Sequence, residues 1–150
     1  MLRFYMQARN VGNVYVANVR FYNQATAASG RYVDLRSAVT TDDFAAFWSG
    51  SAKTAGITPP GLGAAATVLT LGTVSGSDAL SNYMPLKVNT DYVLEFDYWG
   101  DAAGDKLITD LYPGMNPTTV LPDVQTAVQH ERIVINSSSD AMNSCCLKFY

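Results

Sequence analysis

From Tyr92 to Trp99 the chain alternates without a break. Tyr92, Leu94, Phe96 and Tyr98 fall on one parity, and Val93, Glu95, Asp97 and Trp99 on the other. A helix mixes two such sets around its circumference, whereas an extended strand separates them onto opposite faces. The same reading predicts strands at Leu2–Gln7, Val14–Tyr22, Arg31–Leu35, Thr67–Thr73, Met84–Val88, Lys106–Tyr112, Gln129–Asn136 and Cys146–Tyr150. Gly100 to Asp105 (GDAAGD) reads as a turn, so Lys106–Tyr112 is expected to return beside the strand before it. Pro113-Gly114 closes that return strand, because proline has no N–H to give to a ladder. For Thr41–Trp48, a single helical turn capped by Thr41 competes with an irregular loop that plugs Phe44, Phe47 and Trp48 into a core edge. The loop is the plainer reading. Gly50–Ala66 is rich in Gly, Ala and Pro and reads as a long surface connection, and Ser137–Asp140 as a turn. Many short strands separated by turn signals describe an all-β jelly-roll sandwich of about 8–10 antiparallel strands.

Composition narrows the function. The 150 residues make one domain, and 48% hydrophobic against 15% charged residues suit a packed core rather than disorder. A net charge of −3 and a pI near 4.9 argue against an electrostatic nucleic-acid binder, which carries a basic face. No apolar run reaches the roughly 18 residues of a spanning helix, so no membrane insertion is expected. The opening MLRFYMQARN lacks the apolar core of a signal peptide, so no secretory address is expected in it. Cys145 and Cys146 are adjacent and the only cysteines, which suggests neither a disulfide framework nor a metal site. With His130 the single histidine, a His-dependent triad or a multi-histidine metal site is not expected.

The two ends of the chain share a pattern. Leu2-Arg3-Phe4-Tyr5 recurs as Leu147-Lys148-Phe149-Tyr150, one domain length apart and in the same phase. Residues 1–22 then read as an N-terminal β-hairpin that completes a sandwich whose body is residues 23–150. The hairpin completes its own domain by circular permutation, completes a neighbour by strand exchange, or is the remnant of a preceding module. Its closing strand is expected at the edge left by Tyr150, since an open edge invites pairing.

The order VNTDYVLEFDYWGDAAGDKLITDLYPG followed by HERIVINSSSDAMNSCCLKFY resembles the carbohydrate-binding-module-like jelly rolls of bacteriophage tail fibres and tailspikes. NVYVANVRF (Asn13–Phe21) is similar to their closing strand, placed here at the opposite end of the chain. The resemblance covers Asn82–Tyr150 and residues 1–22. It implies a virion protein, and its motifs speak to the fold more than to the ligand. Related modules often carry calcium, so a structural calcium ion is implied by the resemblance alone. No residues here match such a site, and no other cofactor is expected.

Strand parity supplies the candidate site. With Leu94 and Phe96 facing the core, Glu95, Asp97 and Trp99 face away. On the return strand Asp110 and Tyr112 share that side, and Arg132 joins them from Gln129–Asn136, with His130 on the same parity. Aromatic rings stack on the apolar face of a pyranose, and carboxylates or guanidinium groups take its hydroxyls. The same residues also describe a subunit interface, or a solvated cross-strand salt-bridge ladder. Glu95 and Asp97, roughly 6.5–7 Å apart on one strand face, meet the carboxyl spacing of about 5–9.5 Å that glycosidases use. Solvated carboxylates on a strand look identical and are far commoner, so no catalysis is expected.

The resulting expectation is a non-catalytic bacteriophage virion protein that binds host-surface polysaccharide through Glu95, Asp97, Trp99, Asp110, Tyr112 and Arg132. The alternative is a structural virion subunit, for head decoration or fibre assembly, using that face for subunit contacts. Partners expected in either case are copies of itself (threefold, as in many fibre proteins) and other virion proteins, on the particle surface.

Overall fold

In a computed structural model, the described residues are 11–27, 48–49, 53–61, 63, 66–72, 79–81, 86–112, 115–137 and 146–149. They form strands β1 (Val14–Asn23), β2 (Trp48–Ser49), β3 (Lys53–Ile57), β4 (Ala66–Leu71), β5 (Ala79–Ser81), β6 (Asp91–Gly100), β7 (Ile108–Tyr112), β8 (Met115–Val120), β9 (Gln129–Asn136) and β10 (Cys146–Phe149). A single helical turn, α1 (Gln24–Ala27), follows β1, with the Asn23 side chain accepting the Ala25 N–H. The strands make two five-stranded sheets, ordered β3-β4-β1-β6-β9 and β2-β5-β10-β7-β8, and every pairing is antiparallel. The expectation of an antiparallel, nearly all-β chain therefore holds.

β1 lies at the centre of the first sheet, between β4 and β6. Its buried residues change phase along the strand. Val14 and Val16 are buried at even positions, whereas Val19 and Phe21 are buried at odd ones. Strand side chains alternate strictly, so this switch requires one extra residue. The ladder to β6 accordingly runs Ala17↔Asp97 and then Arg20↔Glu95, leaving Asn18 and Val19 opposite Phe96 alone. Asn18 carries the bulge with φ 52°, in the left-handed region that Asn tolerates far better than a β-branched residue.

β6 keeps the expected alternation on its inner side, where Tyr92, Leu94, Phe96 and Tyr98 are all buried. The expected hairpin between β6 and Lys106–Tyr112 does not form. β7 lies in the second sheet, between β10 and β8. The backbone of the intervening loop is satisfied elsewhere. Gly100 and Gly104 N–H donate to the Gln125 and Val124 carbonyls, Val124 N–H to Asp105, and Leu121 N–H to Leu107. Those bonds carry the chain out of the first sheet instead of zipping it back along β6.

The same loop anchors the start of β1. The carboxylate of Asp105, 2% exposed, accepts the backbone N–H groups of Val11 (3.0 Å) and Gly12 (3.1 Å). Asp101 accepts the Asn13 backbone N–H (3.1 Å) and its side-chain amide (2.9 Å). The approach is close enough to require glycine. A Cβ on Gly12 would lie 2.8 Å from Asp101 Cβ, and one on Gly100 would lie 2.7 Å from Val124 Cγ1.

Other expectations change with the pairings. Gly50–Ala66, expected as a connection, contains β3, which pairs with β4. Trp48, expected in a loop plug, lies on β2 opposite Ser81. Residues 86–88, expected as the end of a strand, are loop and turn. β10 has β5 on one side and β7 on the other, so it is no edge, and β1 sits in the other sheet. At Val14–Val16 both sides of β1 are taken, by β4 and β6. The expected strands at Leu2–Gln7 and Arg31–Leu35, and Thr41–Phe47, lie outside the described residues.

Two outcomes are expected from this core. Asn18→Val should cost about 1–2 kcal/mol more than Asn18→Gly in urea unfolding, because only the β-branched residue strains the left-handed backbone. The second concerns Tyr98, 1% exposed, whose hydroxyl is pushed up to about 12 by burial and then by the nearby Glu131 charge. A tyrosine held neutral in the fold adds stability that is complete below pH 10. It is lost as pH rises from 10 to about 12, at up to about 1.4 kcal/mol per pH unit. Unfolding curves across that window should fall more steeply for the wild type than for Tyr98→Phe.

Candidate functional site

The outer side of the first sheet is organised as rows across β1, β6 and β9. Residues directly opposite one another share a face, which gives Tyr15–Trp99, Ala17–Asp97–His130, Arg20–Glu95–Arg132 and Tyr22–Val93–Val134. The bulge at Asn18 is what turns Arg20 and Tyr22 to this side. Without it they would share the parity of Val14 and Val16 and face the core.

Glu95 is the hub of the third row. Its Oε2 meets Arg20 Nη1 at 3.3 Å, and its Oε1 meets Arg132 Nε at 3.3 Å and accepts the Tyr22 hydroxyl at 3.0 Å. The Arg20 guanidinium also lies over the Tyr22 ring, 5.3 Å from its centroid. Burial, then the Glu95 carboxylate that accepts its proton, raises the Tyr22 hydroxyl above its ordinary value. Asp97 is held in the next row by Asn18 Nδ2 at 2.5 Å and by His130 Nδ1 at 2.8 Å. Both carboxylates are thus engaged by groups of their own chain. Their partners differ in exposure: the Glu95 and Asp97 side chains are 14% and 20% exposed, those of Arg132 and His130 47% and 63%.

Trp99 is the largest departure from expectation. Its parity is as predicted, yet it is only 4% exposed. It stacks on Tyr15 with ring centroids 5.4 Å apart and packs with Ala17 and Val68, and Ile57 and Val128 flank the cluster. Alternation gives the side a residue takes, not whether that side is covered. The ring left half-buried is Tyr15, whose hydroxyl donates to Asp101 at 2.9 Å. Burial, then that hydrogen bond, raises its pKa.

The structure therefore brings together Glu95, Asp97, Arg132 and the covered Trp99. Asp110 and Tyr112 belong to β7 of the other sheet, at register positions opposite Lys148 and Cys146. They form no part of this face. The candidate set drawn from the sequence left out Tyr15, Asn18, Arg20 and Tyr22, although Tyr15 and Tyr22 were among the tyrosines expected to suit an interface. The even-to-odd switch in the apolar residues of β1 carried a signal for Arg20 and Tyr22, but nothing in it told that β1 pairs with β6.

The face can bind through donors. Asn18, His130 and Arg132 are exposed and share this side of the sheet with a half-buried tyrosine ring stacked on a buried tryptophan. Charge-assisted bonds from a guanidinium such as that of Arg132 are about twice as strong as neutral ones. Among the described residues no group of three His, Cys, Asp or Glu side chains gathers where it could hold a metal ion. Asp101 and Asp105 each accept backbone amides at the start of β1. A separate open cleft of about 490 Å³, lined by Asn23, Gln24, Ala25, Asn89, Thr90 and Asp91, lies beside α1. No family model, curated protein or solved structure matches the chain.

Replacing a buried ring and an exposed cation on this one face should give opposite results. Trp99→Ala should cost about 3–5 kcal/mol in urea unfolding, the range for truncating a buried aromatic residue. Arg132→Ala should cost no more than about 1 kcal/mol, as expected for an exposed ion pair.

Proposed function

We propose that this chain is a non-catalytic bacteriophage virion protein of the tail-fibre or tailspike type. In this reading it is a jelly-roll module that attaches to host-surface polysaccharide through the outer side of the β3-β4-β1-β6-β9 sheet. The observation that carries the reading is that the Tyr15 ring, stacked on Trp99, shares one side of the sheet with the exposed donors Asn18, His130 and Arg132. A pyranose offers an apolar face to stack and hydroxyls to bind, and this strip supplies a partner for each. The sequence resemblance to phage jelly-roll modules supports the same assignment. The contact residues shift from those first expected, because Trp99 is covered and Asp110 and Tyr112 lie in the other sheet.

The state of the carboxylates favours binding over catalysis. A glycosidase keeps one carboxylic acid protonated toward the glycosidic oxygen and one carboxylate open to water or sugar. Here Glu95 takes bonds from Arg20, Tyr22 and Arg132, and Asp97 from Asn18 and His130. Those bonds suit a fixed scaffold that orients donors outward.

A structural virion subunit is the second reading, and the covered Trp99 favours it, since the widest aromatic surface is spent inside the chain. A glycan array carrying host-surface polysaccharides separates the two. Wild-type protein should bind, and the double variant His130→Ala/Arg132→Ala should lose at least about tenfold in affinity, the equivalent of about 1.4 kcal/mol. Its melting should stay close to wild type, because both side chains are exposed. Absence of wild-type binding to every arrayed polysaccharide would sink the attachment reading and leave the structural one.

A further inference from the structure

Sheet edges expose unpaired backbone N–H and C=O groups, and natural proteins blunt them to prevent unplanned pairing. Among the described residues the two sheets end in four edge strands: β3 and β9 in one, β2 and β8 in the other. Three are blunted. β2 has only two residues. β3 breaks register between Thr54 and Ile57, where Gly56 has φ 76°. β8 contains Pro117, and its pairing with β7 shifts between Thr109 and Leu111.

β9 has no such break, and its charged side chains, Glu131 and Arg132, stand toward its N-terminal end. Its eight residues pair with β6 in unbroken register from Gln129↔Tyr98 to Asn136↔Asp91. It contains no proline or glycine, and Ile133-Val134-Ile135 is a run of strand formers. Val134 is 47% exposed. Among the described residues no strand pairs with the far side of β9.

We propose that β9 pairs with β9 of a second copy of this chain, antiparallel about a two-fold axis through Val134. Register follows from charge. Paired residues must share a face, so an axis through Arg132 sets Arg132 against itself, and one through Glu131 does the same with Glu131. An axis through Ile133 sets Glu131 against Ile135 and Arg132 against Val134. With the axis at Val134, valine meets valine and each Ile133 meets the other copy's Ile135. Each Arg132 then faces Asn136 of the other copy, which is bonded to Asp91 at 2.6 Å. A cation near one end of the outer row and a carboxylate at the other are brought together twice by the same axis.

The result is one continuous ten-stranded sheet in which the Tyr22–Val93–Val134 row runs on into its symmetry copy. Both donor strips lie on the same side of it. A five-residue edge pairing is small beside a standard interface, so the dimer is weak in dilute solution and strengthened where copies are held side by side. This inference does not rest on the glycan reading, because it concerns the strand edge and not the face.

The test is mass by light scattering from about 1 μM to 1 mM, a range suited to weak association, combined with amide hydrogen exchange of β9. The mass should rise with concentration from 16.2 kDa toward a dimer, with β9 amides slowing in parallel. Val134→Lys, which sets two cations on the axis, should remain monomeric with melting near wild type. If that variant does not fold, Val134→Cys provides the second arm. On oxidation it should give a dimer cross-linked through position 134 that wild type, with its own Cys145 and Cys146, does not form. A monomer at all concentrations overturns the proposal, whether its β9 amides exchange quickly or are protected by the chain itself. A dimer that Val134→Lys leaves intact, or no cross-link through position 134, overturns it as well.

Discussion

A strand whose buried residues move from even to odd positions must accommodate one extra residue, and in β1 that residue is Asn18. A one-residue slip exchanges every side chain between the two faces of a sheet. Before the bulge, Val14 and Val16 fill the core; after it, Val19 and Phe21 do. The polar consequence is equally large, since Arg20 and Tyr22 reach Glu95 only because of the offset. Asn18 also donates to Asp97, so the residue that permits the shift is tied to the face it creates.

The charged rows are better understood as an alignment device than as a large source of stability. Exposed ion pairs contribute about 0–1 kcal/mol, and cross-strand pairs about 0.2–1 kcal/mol. Glu95 is less exposed than either arginine and stands between them, so sliding β1 or β9 along β6 would strand a poorly solvated carboxylate. The cost of misalignment exceeds the gain from any one bond. This fixes the relative position of Tyr15, Asn18, His130 and Arg132, which lie on different strands.

Strand identity was legible where alternation is long. β6 and β9 appear close to their expected limits because their inward residues repeat at every second position, and β1 and β10 begin where expected. Pairing was not legible. GDAAGD looks like a hairpin turn locally, but its backbone bonds go to Asn13, Val124 and Gln125 and its two aspartate side chains to residues 11–15, contacts no local pattern encodes. β3 hid in a Gly- and Ala-rich stretch and β8 behind Pro117, each an edge strand whose sequence is marked by protection more than by burial. At the site, Glu95, Asp97 and Arg132 were placed by parity. Trp99 was placed on the right side and misjudged in exposure, because cover comes from Tyr15 and Val68 on other strands.

The side-chain hydrogen bonds that tie β1 to β6 and to the loop after it join residues 73 to 94 positions apart, and β6 begins at Asp91. β1 is made before β6, so its place beside β6 does not exist until the residues up to Gly100 have followed. At roughly 5–20 residues per second of synthesis, the delay is several seconds, long compared with the microseconds in which a nascent segment collapses. Throughout that interval Val14, Val16, Val19 and Phe21 have no native cover, while other chains on the same messenger present the same strand. Closing so long a loop adds little to the equilibrium cost but slows the search. Those apolar residues therefore spend several seconds of synthesis without β6, an interval in which they can pair with other chains.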